Sequence, residues 1–481
     1  MIKNKVSSLL LIISMLLNNT GLVFGKNFDN LGREYLSPGI SLDNLTINNI
    51  FNDLILKHIK PVKEIFAITD FAEHDQAKVS LLRRLFLKNA ISTEEFINII
   101  LTYLDRSTLP RIQNNIANPP IPYKYGRWVA DTFKEGPASK FADLIERRNE
   151  GDLRFLNNAL DQDENTRSKF TKAIKTFLSL PQVKKMANLE IMEVSLAITR
   201  IATNGVDPAQ KIKNSASAWA LSLKDYIRAL IDNADDSLEA ALRLSAIGNF
   251  LDFSDPKTSK KLSDDGFSLE KLISVEFEKE NFWAKKNREN IDILKSKISA
   301  KKQQKVFIAV DNAGETEIDI FSIVYELLEQ GHQVILAGKT LPATNNSTKV
   351  DILNLMQNQA IRELLGEKIK NITVIDSGTL GIGFDLARMT DECKMVFLAA
   401  DLVIFKGQAN YACVRDFNLA KDYFLILRTK WPEELSNRYQ EGEYVIEFVE
   451  HKENVKHATV KKDVIVKKKN LSFQQQIDSS I

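Results

Sequence analysis

Two adjacent polar residues, Asp311 and Asn312, follow the short apolar run 306–310 and stand directly before an Ala-Gly pair. Carboxylate and amide oxygens are hard ligands that suit Mg²⁺, Mn²⁺ or a similar divalent ion. Gly314 lets the backbone approach a ligand closely, and the acidic segment after it is typical of a helix start with its partial positive charge. An Asx turn with a helix cap explains the same residues. The segment therefore predicts either a metal site or a capped turn.

Glycine-rich segments follow the next two apolar runs. Gly338-Lys339-Thr340 is similar to the end of a phosphate-binding P-loop, but Gln333 stands where that motif requires its first glycine, so we reject this interpretation. Within 376–385, Ser377 and Gly378 belong to a loop whose backbone amides can bind phosphate. The order of the glycines in this loop does not match a dinucleotide-binding motif.

Two lysine-containing segments follow the fourth and fifth runs. One reads Lys406-Gly407-Gln408-Ala409-Asn410, and the other reads Arg428-Thr429-Lys430. Lysines, a glycine and amide side chains beside a carboxylate indicate a site for an anionic, phosphorylated substrate held next to a metal ion. Lysines that only form surface ion pairs are the simpler alternative.

Six short apolar runs must position these residues, and helical patterns separate most of them. Runs buried on both faces that alternate with helices predict βαβ units, and hence a doubly wound, mostly parallel α/β sheet. Ligands of such sheets bind at the carboxyl ends of the strands, where the polar segments stand. The predicted strands are 306–310, 333–336, 372–375, 402–405, 423–427 and 444–448, and the predicted helices are 318–330, 350–358, 385–399 and 412–420.

The chain before this sheet carries a helical pattern. Apolar side chains recur at three- and four-residue spacing in 81–86 and 96–104, and the second segment begins with a capping box, Ser92-Thr-Glu-Glu95. A segment rich in proline, 118–126, interrupts the helices. We therefore expect a large all-helical domain at 26–300, an α/β domain at 301–450 and a lysine-rich C-terminal extension at 451–481.

The first residues, 1–25, have the organisation of a secretory signal peptide. Lys3 and Lys5 precede the apolar run 6–17, and a polar break comes before a candidate cleavage site ahead of Lys26. The sequence therefore predicts a protein exported to a periplasm or out of the cell, with no stable membrane span after cleavage. An uncleaved anchor and a core helix are the alternatives, although the uninterrupted run is shorter than the ~20 residues that span a bilayer.

The composition narrows the classes of partner and ligand. Among 481 residues, 65 Lys and Arg oppose 63 Asp and Glu, and a net charge of +2 lacks the basic excess of a nucleic-acid-binding protein. Two cysteines and five scattered histidines exclude a disulfide framework and the common zinc sites, so oxygen ligands must provide most of any metal site. A bridge between Cys393 and Cys413 stays open. The sequence does not predict the oligomeric state.

The motifs also stand in a recognisable order. The chain has DNAGE after a strand, a proline-led Asn-rich loop from Pro342 to Asp351, then SG-x-x-G-x-G, DLVIFKGQANY and FLILRTKWP. In this order they resemble the damage-control phosphatase family, also described as acidic-residue-methyltransferase-like and metal-binding. Two upstream segments, 118–124 and 244–253, are similar to further family segments, so the resemblance covers roughly residues 80–450. It is closer to the compact prokaryotic branch than to the eukaryotic sugar-phosphate branch.

The resemblance implies a helical domain packed on a Rossmann-like α/β domain, with a divalent-metal-dependent phosphatase site in the cleft between them. It implies a small phosphorylated metabolite as the substrate and a divalent ion, Mg, Mn, Co or Ni, as the cofactor. The family's metal ligands fall on Asp311, Asn312 and Asn346, the last of which stands where the family has aspartate. The loss of that negative charge should weaken the affinity for a divalent ion.

The resemblance also assigns residues to the substrate. Substrate and phosphate contacts fall on Lys406, Gly407, Gln408, Asn410 and Lys430, and Asn249 and Asp252 approach from the helical domain. A helix cap is the simpler alternative for the last two. The catalytic roles fall on Asp311, Lys406, Lys430 and Asp252, with Asp252 or Glu315 as the candidate base. The chain departs from the family in having Ala409 in place of glycine and in lacking an N-terminal cysteine pair.

Two other functions stay open. Asn346 and the expected export away from cytosolic metabolites are compatible with a catalytically weakened phosphometabolite-binding protein or a secreted effector. A methyltransferase, which one of the family's names suggests, is not favoured, because no glycine-rich loop stands on the first strand with an acidic partner on the second.

Overall fold

The structure is a computed structural model that describes residues 76–105, 117–118, 156–157, 160, 163–186, 188–250, 268–278, 285–415, 418–430, 432–435 and 438–451. Four features of the sequence analysis lie outside these residues. They are the expected signal peptide, the C-terminal extension beyond His451, the proline-rich segment after Asn118, and Asp252.

The described strands form two sheets. They are β1 (Ala117–Asn118), β2 (Lys305–Ala309), β3 (Gln333–Gly338), β4 (Ile372–Asp376), β5 (Leu402–Lys406), β6 (Asn418–Leu419), β7 (Tyr423–Arg428) and β8 (Tyr444–Val449). β1 and β6 form an antiparallel pair, and the other six form one sheet in the order β4-β3-β2-β5-β7-β8. All neighbours in the large sheet are parallel except β7 and β8. The predicted α/β fold with a mostly parallel, doubly wound sheet is confirmed.

The strand order creates a switch point between β2 and β5. β3 and β4 extend the sheet on one side of β2, whereas β5, β7 and β8 extend it on the other. Doubly wound sheets bind their ligands outside the carboxyl ends of the strands at such a point. Asp311 follows β2 and Lys406 ends β5, so the fold brings together residues that are distant in the sequence.

The first group of helices forms its own core. It contains α1 (Gln76–Leu87), α2 (Thr93–Tyr103), α3 (Glu164–Ser179) and α4 (Asn188–Ala202), with a 3₁₀ turn at Pro181–Lys185. The rings of Phe86 and Phe96 stack at 4.2 Å, and Phe170 meets both edge-on. The predicted capping box of α2 is present, because Ser92 and Glu95 exchange side-chain and backbone hydrogen bonds.

The second group of helices shares its core with the sheet. It contains α5 (Gln210–Ser222), α6 (Lys224–Asp232), α7 (Ser237–Gly248), α8 (Leu269–Glu278) and α9 (Lys285–Ser299). Leu244 and Ile247 of α7 belong to one hydrophobic cluster with Ile308 of β2 and Ile404 of β5. The core therefore continues across residue 300, where we expected a domain boundary, and α7 lies directly on the sheet.

The remaining helices alternate with the strands. They are α10 (Glu315–Asp319), a π-helical turn (Ile320–Val324), α11 (Tyr325–Glu329), α12 (Lys349–Leu355), α13 (Gln359–Leu365), α14 (Asp391–Ala399) and α15 (Gln408–Val414), with 3₁₀ turns at Gly366–Asn371 and Pro432–Leu435. Among the described residues, no helix has the length and apolar character that a membrane span requires.

Several helix ends differ from the prediction. The helix predicted at 385–399 begins only at Asp391, because the Thr390 hydroxyl accepts a hydrogen bond from the Cys393 amide and caps it there. The helix predicted at 412–420 begins instead directly after Gly407 and ends at Val414. A side-chain cap therefore sets the start of the first helix, whereas the second begins after the positive-φ Gly407 without a side-chain cap, and apolar periodicity reveals neither feature. The two cysteines are buried and are not bridged by a disulfide.

Candidate active site

The site is built on the two strand ends that flank the switch point. Gly407 follows β5 with φ +80° and ψ 157°, a conformation that is essentially restricted to glycine. A Cβ atom at this position would overlap Oδ2 of Asp311. Asp311 is only 5% exposed, so the carboxylate lies between the ends of β2 and β5 and rests on the glycine backbone.

The three predicted metal ligands come together at this point. Nδ2 of Asn346 donates to Oδ1 of Asn312 at 2.6 Å and to Oδ1 of Asp311 at 3.3 Å. The amide of Ser347 donates to the carbonyl oxygen of Asp311 at 2.8 Å, which fixes the loop after β3 against the end of β2. The tertiary structure therefore assembles Asp311, Asn312 and Asn346 into one buried cluster.

The donor atoms of this cluster fit a hard cation. Asp311 offers a carboxylate, and Asn312 offers an amide oxygen. Oδ1 of Asn346 is buried and has no hydrogen-bond partner within the described part of the chain. The same residues contain no group of three His, Cys, Asp or Glu side chains arranged to hold a metal ion. The cluster is therefore an oxygen site with one carboxylate and two amides, a weak donor set for a divalent ion.

Glu315 and Asn249 hold the cluster from behind. Glu315 accepts from Nδ2 of Asn312 at 2.6 Å and from Nδ2 of Asn249 at 2.7 Å. Nδ2 of Asn249 also lies 3.4 Å from Oδ2 of Asp311, and Oδ1 of Asn249 accepts from the amide of Arg428. Burial, followed by the charge of Asp311, raises the pKa of Glu315 well above its ordinary value. Asn249 thus reaches the cluster from the C-terminal end of α7, and its expected contact with the substrate stays a prediction.

Lys406 points into the interface between the sheet and the helices. It is the last residue of β5, and its side chain points to the same face of the sheet as those of Leu402 and Ile404. These two residues belong to the hydrophobic core beneath α7. Its ammonium group donates to the carbonyl and hydroxyl oxygens of Ser245 at 2.6 and 2.7 Å and pairs with Asp319 at 2.9 Å. All three ammonium hydrogens therefore have acceptors within the chain.

Asn410 also bonds within the chain. Its Nδ2 lies 3.1 Å from the carbonyl oxygens of both Ala309 and Val310 and 2.6 Å from that of Lys406. Its Oδ1 accepts from Lys339 at 2.9 Å. Asn410 therefore connects the carboxyl ends of β2 and β5, the strands that flank the switch point.

Lys339, which belongs to the rejected P-loop motif, is a buried cation. Its ammonium group donates to the carbonyl oxygen of Gly383 at 2.8 Å as well as to Asn410. Burial lowers the pKa of Lys339 to about 8. A lysine at the end of a predicted buried strand is the sequence signal that could have identified it.

The other residues predicted to contact phosphate include Ser377, Gly378 and Gln408, and each of these three forms a hydrogen bond within the chain. The amide of Ser377 donates to the carbonyl oxygen of Gly338, and the amide of Gly378 donates to Asp376. Gln408 accepts from the amide of Lys430, which holds the segment after β7 beside α15. The amides of Ser377 and Gly378 thus bond within the chain, and their proposed contacts with phosphate stay predictions.

Comparisons with known proteins agree with this architecture. The family model described as damage-control phosphatase ARMT1-like domain matches residues 141–468. A DUF89 family protein from Pyrococcus horikoshii, solved as a crystal structure, has a TM-score of 0.50 and 21% sequence identity, with 66% of this chain and 99% of that chain covered. This similarity supports the fold.

Curated relatives are each similar to less than half of the chain. A damage-control phosphatase of Arabidopsis thaliana is 30% identical over 207 residues, which are 42% of this chain and 55% of the relative. A damage-control phosphatase of Pyrococcus horikoshii is 27% identical over 228 residues, 47% of this chain and 69% of the relative. One from Archaeoglobus fulgidus is 24% identical over 221 residues, 46% of this chain and 68% of the relative. The matches thus span little more than half of the plant relative and about two thirds of the archaeal ones.

Proposed function

Because the chain belongs to the family of the damage-control phosphatase ARMT1-like domain, we propose that it hydrolyses a small phosphorylated metabolite with the help of a divalent metal ion. The observation that carries the proposal is the buried cluster of Asp311, Asn312 and Asn346 at the switch point of the sheet. A doubly wound sheet places its ligand at this point, and the cluster supplies hard oxygen donors there.

The residues around the cluster have separate tasks. Asp311, Asn312 and Asn346 would hold the cation through their oxygens, and a bound divalent ion supplies polarisation of a phosphoryl oxygen. Asn249 contacts Asp311, Glu315 accepts from Asn312, and the two bond to each other, so together they fix the orientation of Asp311 and Asn312.

Lys430 provides positive charge at the same edge of the sheet. It follows β7, the parallel neighbour of β5, and its backbone amide donates to the side chain of Gln408 on α15 at 2.8 Å. A cation in this position stabilises the negative charge of a phosphoryl group during transfer. We assign to Lys430 the neutralisation of the substrate phosphate.

A panel of phosphoesters tests the activity. The purified protein should release phosphate in the presence of Mg²⁺, Mn²⁺, Co²⁺ or Ni²⁺, and Asp311→Ala should lose more than about 100-fold in rate, since even residues behind metal ligands contribute roughly 10- to 100-fold. Asp225→Ala is the matched control, because Asp225 is 92% exposed on α6. No metal-stimulated release, or equal release from Asp311→Ala, would contradict the proposal.

A second candidate function is binding of a phosphometabolite without hydrolysis. One observation favours it: the amide hydrogens of Asn346 point to oxygens of Asp311 and Asn312 that a cation needs. Asn346→Asp replaces this donor with a carboxylate and should raise Mn²⁺ affinity, measured by calorimetry.

The same variant separates the two functions. A wild-type protein that already releases phosphate excludes the binding-only function. Release that appears only in Asn346→Asp identifies the native protein as a weakened enzyme that keeps its cleft. If Asn346→Asp does not change Mn²⁺ affinity, position 346 does not control the metal site, and the binding-only function loses the observation that favours it.

A further inference from the structure

The segment Lys406–Asn410, which we call the corner segment, comprises the last residue of β5, Gly407 and the first turn of α15, and the side chains of Lys406 and Asn410 point into the protein. The family resemblance implies that these residues contact the substrate phosphate. In the structure, the side chains of Lys406 and Asn410 are fully buried and bond to groups of the chain itself. The side chains of Lys406 and Asn410 therefore make the contacts of structural residues, since all of these contacts are with the chain itself.

The bonds of Lys406 lead away from the cluster of metal-ligating residues. Its partners are Ser245 on α7 and Asp319 at the end of α10, and Ser245 also donates to Asp319 at 2.6 Å. A buried ammonium group that has given its three hydrogens to three acceptors has none left for a phosphate. To contact the substrate, Lys406 would have to give up its present partners inside the core. The buried Asp319 carboxylate would then lose its paired cation, which is energetically costly.

The bonds of Asn410 span the switch point. Its amide group holds the carbonyl oxygens of Ala309 and Val310, immediately before Asp311, together with that of Lys406. Asn410 is thus saturated, because the acceptor oxygen of its side chain is taken by Lys339. Asn410 fixes the distance between the two strand ends that carry the site.

Gly407 couples the position of the end of β5 to the position of Asp311. It lies between the two saturated residues and contacts Asp311 so closely that a Cβ atom would overlap the carboxylate. A small displacement of the end of β5 therefore displaces the surface on which Asp311 rests.

We propose that Lys406 and Asn410 are positioning residues that hold Asp311 in place, with Ser245 and Asp319 as the partners through which Lys406 acts, and that they do not bind the substrate phosphate. This inference rests on the proposed metal-dependent phosphatase site. It assigns charge neutralisation of the substrate to Lys430 and makes the corner segment responsible for the geometry of the metal ligand.

The test uses the full-length protein with Ser245→Ala, Lys406→Met and Asn410→Leu. Mn²⁺ affinity and the affinity for inorganic phosphate at saturating Mn²⁺ are measured separately by calorimetry, together with kcat and KM. Each variant should lose about 10- to 100-fold in Mn²⁺ affinity or kcat, the range for residues that orient metal ligands. The phosphate affinity and KM should change by less than about twofold, since no phosphate contact is removed.

Ser245→Ala is the most discriminating variant, because it leaves the charge of Lys406 in place. A lysine that binds phosphate would tolerate this change, whereas a positioning lysine loses the hydroxyl, one of its three acceptors, and keeps the backbone carbonyl oxygen of residue 245 and Asp319. Ser195→Ala is the matched control, since Ser195 is a buried serine of α4 whose hydroxyl has no hydrogen-bond partner among the described residues. Loss of phosphate affinity in Lys406→Met with normal Mn²⁺ affinity would overturn the inference.

A crystal structure of Ser245→Ala tests the positioning role independently of any enzyme assay. We expect the end of β5 and the Asp311 side chain to shift together. An unmoved Asp311 overturns the positioning role even if the wild-type protein hydrolyses phosphoesters. Conversely, a shifted Asp311 in a protein that binds no Mn²⁺ supports the positioning role and rejects the metal-dependent function.

Discussion

Gly407 is the residue on which the orientation of Asp311 most directly depends. Replacement by alanine adds a Cβ atom that overlaps the Asp311 carboxylate and forces a side chain into a backbone region reserved for glycine. We expect Gly407→Ala to abolish metal-stimulated phosphate release and to lower the free energy of unfolding by about 1–3 kcal/mol through backbone strain alone. Enzyme assays and urea denaturation measure the two effects.

Gly331 offers a matched control for this substitution. It has φ +81°, and a Cβ atom there would meet nothing within 4 Å. Gly331→Ala should lower the free energy of unfolding by about 1–2 kcal/mol, the cost of the left-handed backbone, and leave activity unchanged. Equal activity of the two variants would show that contact with Asp311 is irrelevant.

Single residues also mark how far the sequence could identify the site. Asp311, Asn312 and Asn346 are neighbours in the structure, and Asn249 joins them from α7. Their polar character after apolar runs, together with the family motifs, was sufficient to select them. The partners of Lys406 could not be selected in this way, because Ser245 stands 161 positions earlier in an ordinary helical pattern.

At the scale of elements, the strands were predictable and the helix ends were not. Parallel strands are buried on both faces, so each appears as a continuous apolar run that ends where its polar residues begin. Helix ends depend on single capping residues such as Asn358, whose side chain accepts from the Ala360 amide and starts α13, an unpredicted helix directly after the one predicted at 350–358. Periodicity continues through such a cap and therefore misses it.

Lys339 connects three elements, and its buried charge predicts a pH dependence. It follows β3 and bonds to Gly383 in the loop after β4 and to Asn410 on α15. Burial lowers its pKa from 10.5 to about 8, so between these pH values the folded protein binds fewer protons than the unfolded chain. The contribution of Lys339 to stability is therefore complete above about pH 10.5 and is lost as the pH falls towards 8.

Lys339→Met should remove this part of the pH dependence. We expect the free energy of unfolding of the wild type, relative to the variant, to rise by about 1–3 kcal/mol between pH 8 and 10.5, as a shift of this size implies. Urea denaturation across this range provides the measurement. Lys370→Met, a change of an exposed lysine, is the control, and its free energy of unfolding should change with pH in parallel to that of the wild type. A parallel curve for Lys339→Met would contradict the assigned pKa.

At the scale of the whole molecule, helices that precede residue 300 complete the candidate site. Arg200 of α4 donates to the carbonyl oxygen of Pro342 at 2.7 Å, and Glu193 of the same helix pairs with Arg388 in the segment before α14. α7 supplies Asn249 and the anchor of Lys406. The α/β part of the chain therefore does not form the candidate site alone.

The compartment of the whole protein is a separate proposal. We propose that residues 1–25 direct export and are removed, on the basis of their charged start, apolar run and polar break. Expression of the full chain in a bacterial host, followed by N-terminal sequencing of the periplasmic fraction, should give a mature chain that begins near Lys26. An intact N-terminus in the membrane fraction would favour the uncleaved anchor, and one in the cytosol would exclude export.

The sequence by itself determined the strands, the α/β class and the polar residues at the strand ends, because these features depend on local patterns of burial and spacing. Only the tertiary structure decided which residues meet across the switch point and on which face of the sheet each lysine side chain packs. Hydrogen-bond partners brought from distant segments depend on how helices pack on the sheet. For that reason, Lys406 is a candidate phosphate ligand by its motif and an anchored residue by its contacts with Ser245 and Asp319.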